Sequence, residues 1–196
     1  MMCVGAMGTG LVTRPPAERL SIVLAAIDCV VSGGHAALTA TQVADEAGVD
    51  ERIVRSHFPT APALAEEILD YVSDQIMQSI RDDLPADDRL RFHFAALCAA
   101  MQDRPSLFVV LSELERRGGR DRLIGAAVKR SEQVWRDTLA GLLRAGRRNA
   151  LWAREFDDEA IIDLIITTAT ATGVRLRGAE AARTLAQIEA FLLATG

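Results

Sequence analysis

The stretch that decides the fold is residues 39–64, which read TATQVADEAGVDERIVRSHFPTAPAL. Thr39 followed three residues later by Gln42 is a capping-box pattern, and it predicts a helix that begins at the next residue. Gly48 predicts a tight turn, because glycine adopts a left-handed backbone without steric cost. Asp50 can cap a second helix, which the following proline would end. The stretch therefore predicts a helix-turn-helix.

Helical periodicity dominates the remainder of the chain, and no alternating strand pattern of useful length occurs. We predict an all-α fold of about nine helices, with an N-terminal three-helix unit and a C-terminal helical bundle. The predicted divisions are a flexible tail at 1–13, a helix-turn-helix domain at 14–62 and a larger domain at 63–196. The later helices are expected at 87–103, 106–117, 121–146, 157–176 and 179–194.

The 196-residue chain is 49% hydrophobic and 25% charged, which is typical of soluble globular domains. Its three cysteines, Cys3, Cys29 and Cys98, are widely spaced, so neither a disulfide framework nor a zinc site is expected. No stretch has the length of a membrane span, and the N-terminus lacks a signal-peptide pattern. These features predict a cytoplasmic protein with reduced thiols and no membrane association.

Neither catalysis nor a bound cofactor is predicted. The sequence lacks a glycine-rich phosphate loop, a nucleophile elbow and metal-ligand spacing. Its three histidines lie on separate segments, and the acidic run at 157–159 is typical of a helix start. We therefore expect no catalytic residue, no metal and no cofactor.

The segment QVADEAGV, followed by HFP and by an apolar pair opening the next helix, resembles the tetracycline-repressor (TetR) family of transcriptional regulators. The detailed resemblance covers residues 17–70, and the rest is similar in helix order and length. The resemblance implies a ligand-responsive regulator, expected to be a repressor, that binds palindromic double-stranded DNA as a homodimer. A small-molecule effector would release it from DNA.

In such a unit the second helix enters the major groove and the first crosses the backbone. Arg52 is the first candidate for reading a base edge, because a guanidinium matches two acceptors of guanine. Glu51 could accept from cytosine, and Ile53 could touch a thymine methyl. Arg55, His57 and Thr41 are placed for phosphate contacts, and Arg14 and Arg19 are further candidates for such contacts. The predicted DNA contacts are Thr41, Glu51, Arg52, Ile53, Arg55, Ser56 and His57.

Departures from the family pattern keep a second hypothesis open. Family members usually carry a tyrosine where Arg55 stands, a lysine where Ala61 stands, and a serine or threonine where Asp50 stands. Residues 1–64 contain four arginines against six carboxylates, which is a poor balance for a DNA reader. The alternative is a family-like small-molecule or protein-binding module whose DNA binding is weak or lost.

The last two predicted helices combine bulky and small side chains, and the resemblance implies a four-helix dimer interface there. An ordinary internal core is the alternative for these helices. The predicted interface residues are Ile162, Ile165, Ile166, Ala169, Thr170, Gly173, Leu185, Ile188, Phe191 and Leu192.

The resemblance also implies a ligand cavity among the middle helices. Apolar walls would suit a hydrophobic effector. His93, Gln133 and Arg136 are candidate polar anchors, with a surface position as the alternative for each. Apolar residues at helical spacing fit a plain core equally well. The predicted lining residues are Met77, Phe94, Leu97, Cys98, Met101, Phe108, Leu111, Val134, Trp135 and Leu139.

Overall fold

The computed structural model describes residues 17–77, 84–148, 156–172 and 178–193, and the predicted N-terminal tail lies outside these ranges. Within them the chain forms nine α-helices and one 3₁₀ turn, with no strand, so the predicted all-α class is confirmed. The helices are α1 (Ala17–Gly33), α2 (Ala40–Ala47), α3 (Glu51–His57), α4 (Ala61–Met77), α5 (Ala86–Asp103), α6 (Pro105–Gly118), α7 (Arg122–Arg148), α8 (Asp158–Thr172) and α9 (Gly178–Leu193), and the 3₁₀ turn is His35–Ala37.

The start and end of the short helices α2 and α3 follow the sequence signals. Thr39 Oγ1 accepts a hydrogen bond from the backbone N–H of Gln42 at 3.3 Å, and its hydroxyl also lies 3.0 Å from Gln42 Oε1. Gly48 has φ +67° and ψ 33°, the left-handed conformation that the turn requires. The Asp50 carboxylate accepts a hydrogen bond from the backbone N–H of Arg52 at 2.8 Å. The predicted caps and turn of the helix-turn-helix are therefore confirmed.

The core of the helix-turn-helix is continuous with the core of the larger bundle. Val43, Val54 and Phe58 are buried in the same core as the apolar residues of α1, and α1 packs on α2, α4 and α6 while α2 packs on α3. Burial of this shared apolar surface stabilises the three N-terminal helices against the bundle. The orientation of α3 is therefore coupled to the position of α6.

Two glycines bring α6 and α7 into close contact where the two helices meet. A Cβ added to Gly118 would lie 2.9 Å from Gly125 Cα, and one added to Gly125 would lie 2.6 Å from the Gly118 carbonyl oxygen. Real Cβ atoms do not approach that closely, so this contact requires glycine on both helices. Elsewhere in the bundle α4 packs along α7, α5 along α9, and α8 against both α6 and α9.

None of the described helices is, by itself, long and apolar enough to cross a membrane. Residues 88–103 and 105–118 meet the length and composition required only when taken together, and that pair is bent by 88°. Cys29 and Cys98 carry free thiols. The described part of the chain holds no group of three or more His, Cys, Asp or Glu side chains placed to bind a metal ion.

Candidate nucleic-acid interface and ligand cavity

Arg52 projects from the exposed side of α3, the second helix of the helix-turn-helix. Its backbone N–H is used by the Asp50 cap, whereas its guanidinium makes no ion pair or hydrogen bond with any residue that the structure describes. Ser56 is also exposed, and its hydroxyl donates to the Ile53 carbonyl oxygen at 2.8 Å. Ile53 itself is half-buried and packs against the core, so less of its side chain is available to a thymine methyl than the sequence suggested.

Arg55, predicted to contact phosphate, is bound by a carboxylate on its own helix. Its Nε and Nη2 atoms each lie 2.6 Å from Glu51 Oε1. The Thr41 hydroxyl donates to the other oxygen of the same carboxylate at 2.8 Å. The hydrogen bond from Thr41, followed by that from Arg55, lowers the pKa of Glu51 below its usual range. The carboxylate is therefore charged at neutral pH, and it holds two of the predicted phosphate-contacting groups.

Two further basic groups of the helix-turn-helix, His57 and Arg19, also have carboxylate partners within the chain. His57 Nε2 lies 3.2 Å from Glu18 Oε2. Arg19 forms a two-point ion pair with Glu67, with its Nε atom 2.9 Å from Oε1, and its guanidinium lies 4.4 Å from the ring centroid of Phe58. Arg19 thus stabilises the contact of α1 with α3 and α4, and this leaves it less available to DNA. Arg14 lies outside the described residues.

A cavity of about 150 Å³ lies between α4, α6, α7 and α8. Three of the predicted lining residues, Met77, Leu111 and Trp135, border it. Seven of the fourteen lining residues are polar or charged, so the wall is more polar than the apolar pocket expected from sequence. The full lining is Leu69, Ser73, Ile76, Met77, Leu111, Glu115, Val128, Ser131, Glu132, Trp135, Arg136, Ile166, Thr167 and Thr170.

The other predicted lining residues do not border this cavity. Phe94, Leu97, Met101, Phe108 and Leu139 are buried in the core of the bundle, whereas the side chain of Val134 is 56% exposed. These residues satisfy helical periodicity because they pack against neighbouring helices.

The thiol of Cys98 donates to the Ala182 carbonyl oxygen at 3.4 Å, so this residue belongs to the contact between α5 and α9. Of the candidate anchors, only Arg136 lines the cavity. Gln133 is exposed and donates to Asp137 at 2.9 Å. His93 does not line this cavity and is not at the surface: it is 1% exposed, and burial lowers its pKa to about 4.

The polar part of the cavity wall combines a hydroxyl pair with an acidic cluster. The hydroxyls of Ser73 on α4 and Ser131 on α7 are 2.7 Å apart. Arg136 is surrounded by three carboxylates: its Nε lies 2.9 Å from Glu132 Oε1, its Nη2 2.5 Å from Asp163 Oδ1 and its Nη1 3.6 Å from Glu159 Oε2. Arg136 is therefore paired with three carboxylates, of which only Glu132 also lines the cavity.

A charged contact that the sequence did not reveal joins α6 to the turn before α2. Glu113 Oε2 accepts from the His35 backbone N–H at 3.0 Å and lies 3.2 Å from His35 Nδ1. The same oxygen accepts from Arg116 Nη2 at 2.5 Å. Gly34 has φ +68°, and a Cβ there would lie 3.1 Å from Glu113 Oε2, so glycine lets the turn approach the carboxylate. We name His35, Glu113 and Arg116 the α6 clamp.

Partial burial raises the pKa of Glu113, but the hydrogen bonds from the His35 backbone, from Arg116 and from the His35 ring outweigh it and hold the pKa below its usual range. The clamp therefore contains a carboxylate at neutral pH. The glycine pair 33–34 and the following histidine are its only local signal, and nothing in that segment identifies a partner 78 residues away.

Most of the predicted dimer-interface residues are buried within the single chain. A residue that is already buried in one protomer has little surface left to bury against another. The exceptions are Phe191, which is 45% exposed, and Thr170, which is half-buried in the cavity wall, while Gly173 lies outside the described residues. The buried residues are Ile162, Ile165, Ile166, Ala169, Leu185, Ile188 and Leu192.

A different face of α8 and α9 is exposed. Along α8 it carries Leu164, which is 46% exposed, between small residues, and along α9 it carries small residues that lead to Phe191. We name this set the α8–α9 face. Its members are Ala160, Leu164, Thr167 and Ala171 on α8 and Ala186, Ala190 and Phe191 on α9.

The fold is similar to those of several solved regulators. A TetR transcription regulator from Haloarcula marismortui superposes with a TM-score of 0.75 at 20% identity, over 89% of this chain and 96% of that chain. A TetR-family regulator from Agrobacterium tumefaciens gives 0.70 at 16% identity, over 89% and 95%. The regulator FadR from Bacillus subtilis, in complex with stearoyl-CoA, gives 0.67 at 14% identity, over 88% and 97%.

No protein-family model matches the chain, and no curated protein matches its sequence. The structural likenesses extend over nearly the whole of both chains, so they include the larger domain as well as the helix-turn-helix. The chain therefore has the fold of the TetR-family transcriptional regulators.

Proposed function

We propose that the chain is a ligand-responsive transcriptional regulator, a repressor that binds palindromic operator DNA as a dimer and leaves it when a small molecule binds. Arg52 supplies the base contact, because its guanidinium is exposed and unengaged by the described residues. Arg55, Ser56, His57 and Thr41 support phosphate contacts around it. Glu51 and Ile53 complete the surface that faces the groove.

The observation that carries this proposal is that α6 contacts both the cavity and the helix-turn-helix. Leu111 and Glu115 line the cavity, and Glu113 and Arg116, on the same helix, bind the turn at His35. A ligand that displaces α6 therefore changes the position of the turn that precedes α2. Such a displacement is the differential interaction that a ligand needs in order to shift the protein between two states.

The exposed α8–α9 face, which we propose as the dimer interface, supports the same proposal. Small residues along α8 and α9 let two helix pairs approach closely, and Leu164 and Phe191 supply apolar area that is exposed in the single chain. A two-fold dimer would present two α3 helices to successive major grooves, about 34–36 Å apart.

Selection from a random duplex library with the purified full chain tests this proposal. We expect a palindromic sequence to be enriched, with binding that weakens steeply as salt rises. Arg52→Ala should cost about 1–3 kcal/mol on the selected site and relax the choice of base at one position in each half-site. Glu46→Gln, a change at an exposed residue of α2, is the control for altered charge. Failure to enrich any sequence at low salt contradicts the proposal.

A second candidate function has an observation in its favour. The capture of Arg55 by Glu51, together with Asp50 and Ala61 at positions where the family contacts phosphate, leaves few cations for DNA. This favours a small-molecule or protein-binding module with weak or lost DNA binding. The same selection separates the two, because such a module enriches no sequence but still binds a ligand in the cavity.

A further inference from the structure

We infer that the effector is a small organic cation that also carries a hydrogen-bond acceptor, and not an anionic lipid or acyl-CoA. This inference rests on the proposed use of the cavity as the effector site. It does not depend on whether the helix-turn-helix binds DNA.

The lining residues of the cavity carry an excess of negative charge. Glu115 lines the cavity, and its carboxylate makes no ion pair or hydrogen bond with the residues that the structure describes. The only cation among the described lining residues is Arg136, which is already shared by Glu132, Glu159 and Asp163. The wall is therefore negative, and it attracts a cation and repels a phosphate or carboxylate.

The indole of Trp135 supplies the second argument. This residue lines the cavity and is 6% exposed, yet its Nε1–H has no hydrogen-bond partner among the residues that the structure describes. A buried donor that lacks an acceptor costs free energy, and a ligand oxygen that accepts from it removes that cost. The indole face also attracts a cation, which agrees with the negative wall.

The volume of the cavity and its apolar side determine the size and the apolar part of a ligand that fits. A volume of about 150 Å³ is comparable to an engineered cavity that holds benzene. Leu69, Ile76, Leu111 and Ile166 give that volume an apolar side, and the hydroxyls of Ser73 and Ser131 lie on its polar side. A ligand with one ring or a short branched chain fits this space, whereas a long acyl chain exceeds it.

Binding of four related probes to the DNA-free full chain at pH 7 tests the inference by calorimetry. The probes are 2-amino-1-phenylethanol, which has both the ammonium and the acceptor, 2-phenylethylamine, 2-phenylethanol and phenylacetate. We expect affinity to fall in that order, with the amino alcohol binding at least tenfold more tightly than phenylacetate. Stearoyl-CoA is included as the long anionic comparison and should not compete.

Two variants test whether Glu115 and Trp135 determine the affinity for these probes. Glu115→Gln should reduce the preference for 2-phenylethylamine over 2-phenylethanol by about fivefold or more, whereas Glu46→Gln, outside the cavity, should leave it unchanged. Trp135→Phe keeps an aromatic face and should abolish the advantage of the amino alcohol over 2-phenylethylamine. Thermal unfolding of each variant verifies that it is folded.

The inference is overturned if phenylacetate or stearoyl-CoA binds as tightly as the amines, if Glu115→Gln leaves the preference intact, or if neither amine binds. None of these outcomes involves DNA. An enriched palindrome without amine binding would thus reject the effector class and retain the DNA reader. Amine binding without an enriched sequence would do the reverse.

Discussion

At the scale of single residues, Glu51 controls the charge of the recognition helix. It holds Arg55 and Thr41 by short hydrogen bonds, so a DNA phosphate must compete with a carboxylate for both groups. It also stands in the first turn of α3, where a negative charge stabilises the helix. The residue thus favours the fold of α3 and opposes the approach of DNA.

We expect Glu51→Gln to tighten DNA binding about tenfold at low salt, or about 1.4 kcal/mol, because the change removes a repulsive charge and releases Arg55. The salt dependence of binding should steepen by about one counterion per recognition helix. Fluorescence anisotropy with the selected duplex measures both. Glu46→Gln removes the same charge without freeing an arginine, so equal salt slopes in the two variants would contradict the prediction.

His93 gives the stability of the protein a defined pH dependence. Burial lowers its pKa to about 4 from an ordinary 6.5, so between these values the unfolded chain binds a proton that the folded chain does not. The free energy of unfolding therefore falls as pH drops through this window, by up to about 1.4 kcal/mol per pH unit. Urea unfolding at pH 6.5 and 5 should show a smaller loss in His93→Gln than in the wild type. His57→Gln, at a half-buried surface histidine, is the control and should retain the wild-type loss.

At the scale of elements, the α6 clamp ties the turn before α2 to the bundle. The Glu113 carboxylate accepts from the His35 backbone, and its lowered pKa keeps it charged when other carboxyls begin to protonate. The contact is therefore present at neutral pH and is lost only as pH falls through that lowered pKa. A neutral side chain at position 113 should weaken it at every pH.

Hydrogen exchange of the His35 amide measures the strength of its contact with Glu113. We expect Glu113→Gln to speed exchange of the His35 amide by about tenfold at neutral pH, because the variant accepts a weaker hydrogen bond than a carboxylate does. Glu115→Gln in the ligand-free protein changes the same helix without touching the turn. If both variants exchange alike in the peptide that contains His35, the clamp does not hold the turn.

The helix-turn-helix could be predicted from sequence because its signals are local. The Thr39 cap, the Gly48 turn and the Asp50 cap each depend on residues within three or four positions of one another. The cavity could not be predicted in the same way. Apolar residues such as Phe108 and Leu139 have the same spacing whether they pack in a core or border a space. The polar residues that do border it, such as Ser73 and Ser131, meet only through the packing of α4 on α7.

At the scale of the whole molecule, the spacing of apolar residues also does not distinguish an internal core from a dimer interface. The periodic isoleucines of α8 identify the most apolar face of that helix, and this face packs inward on the chain itself. A second face, with smaller residues, is left for a partner. Burial within the protomer and burial between protomers draw on the same residue types, so one sequence does not separate them.

We expect the wild-type chain to be a dimer in solution and Leu164→Glu to be a monomer, because the charge would be buried against a second α8. Light scattering coupled to gel filtration measures the mass of each. Val134→Glu changes a residue of similar exposure on α7 and should remain dimeric. A dimeric Leu164→Glu variant would exclude the α8–α9 face as the interface.

The close contact between Gly118 and Gly125 has a mechanical consequence. Because the two backbones touch without side chains between them, we expect α6 to rotate about this contact rather than to slide along α7. On α6, the cavity residue Leu111 and the clamp residue Glu113 both lie within about two helical turns of Gly118. A rotation of α6 about the glycine contact would therefore move both residues by only a small distance. A ligand in the cavity would therefore displace the α6 clamp by a small distance. A small displacement is enough to weaken the hydrogen bonds of the clamp, since the strength of a hydrogen bond falls steeply with small changes of distance and angle.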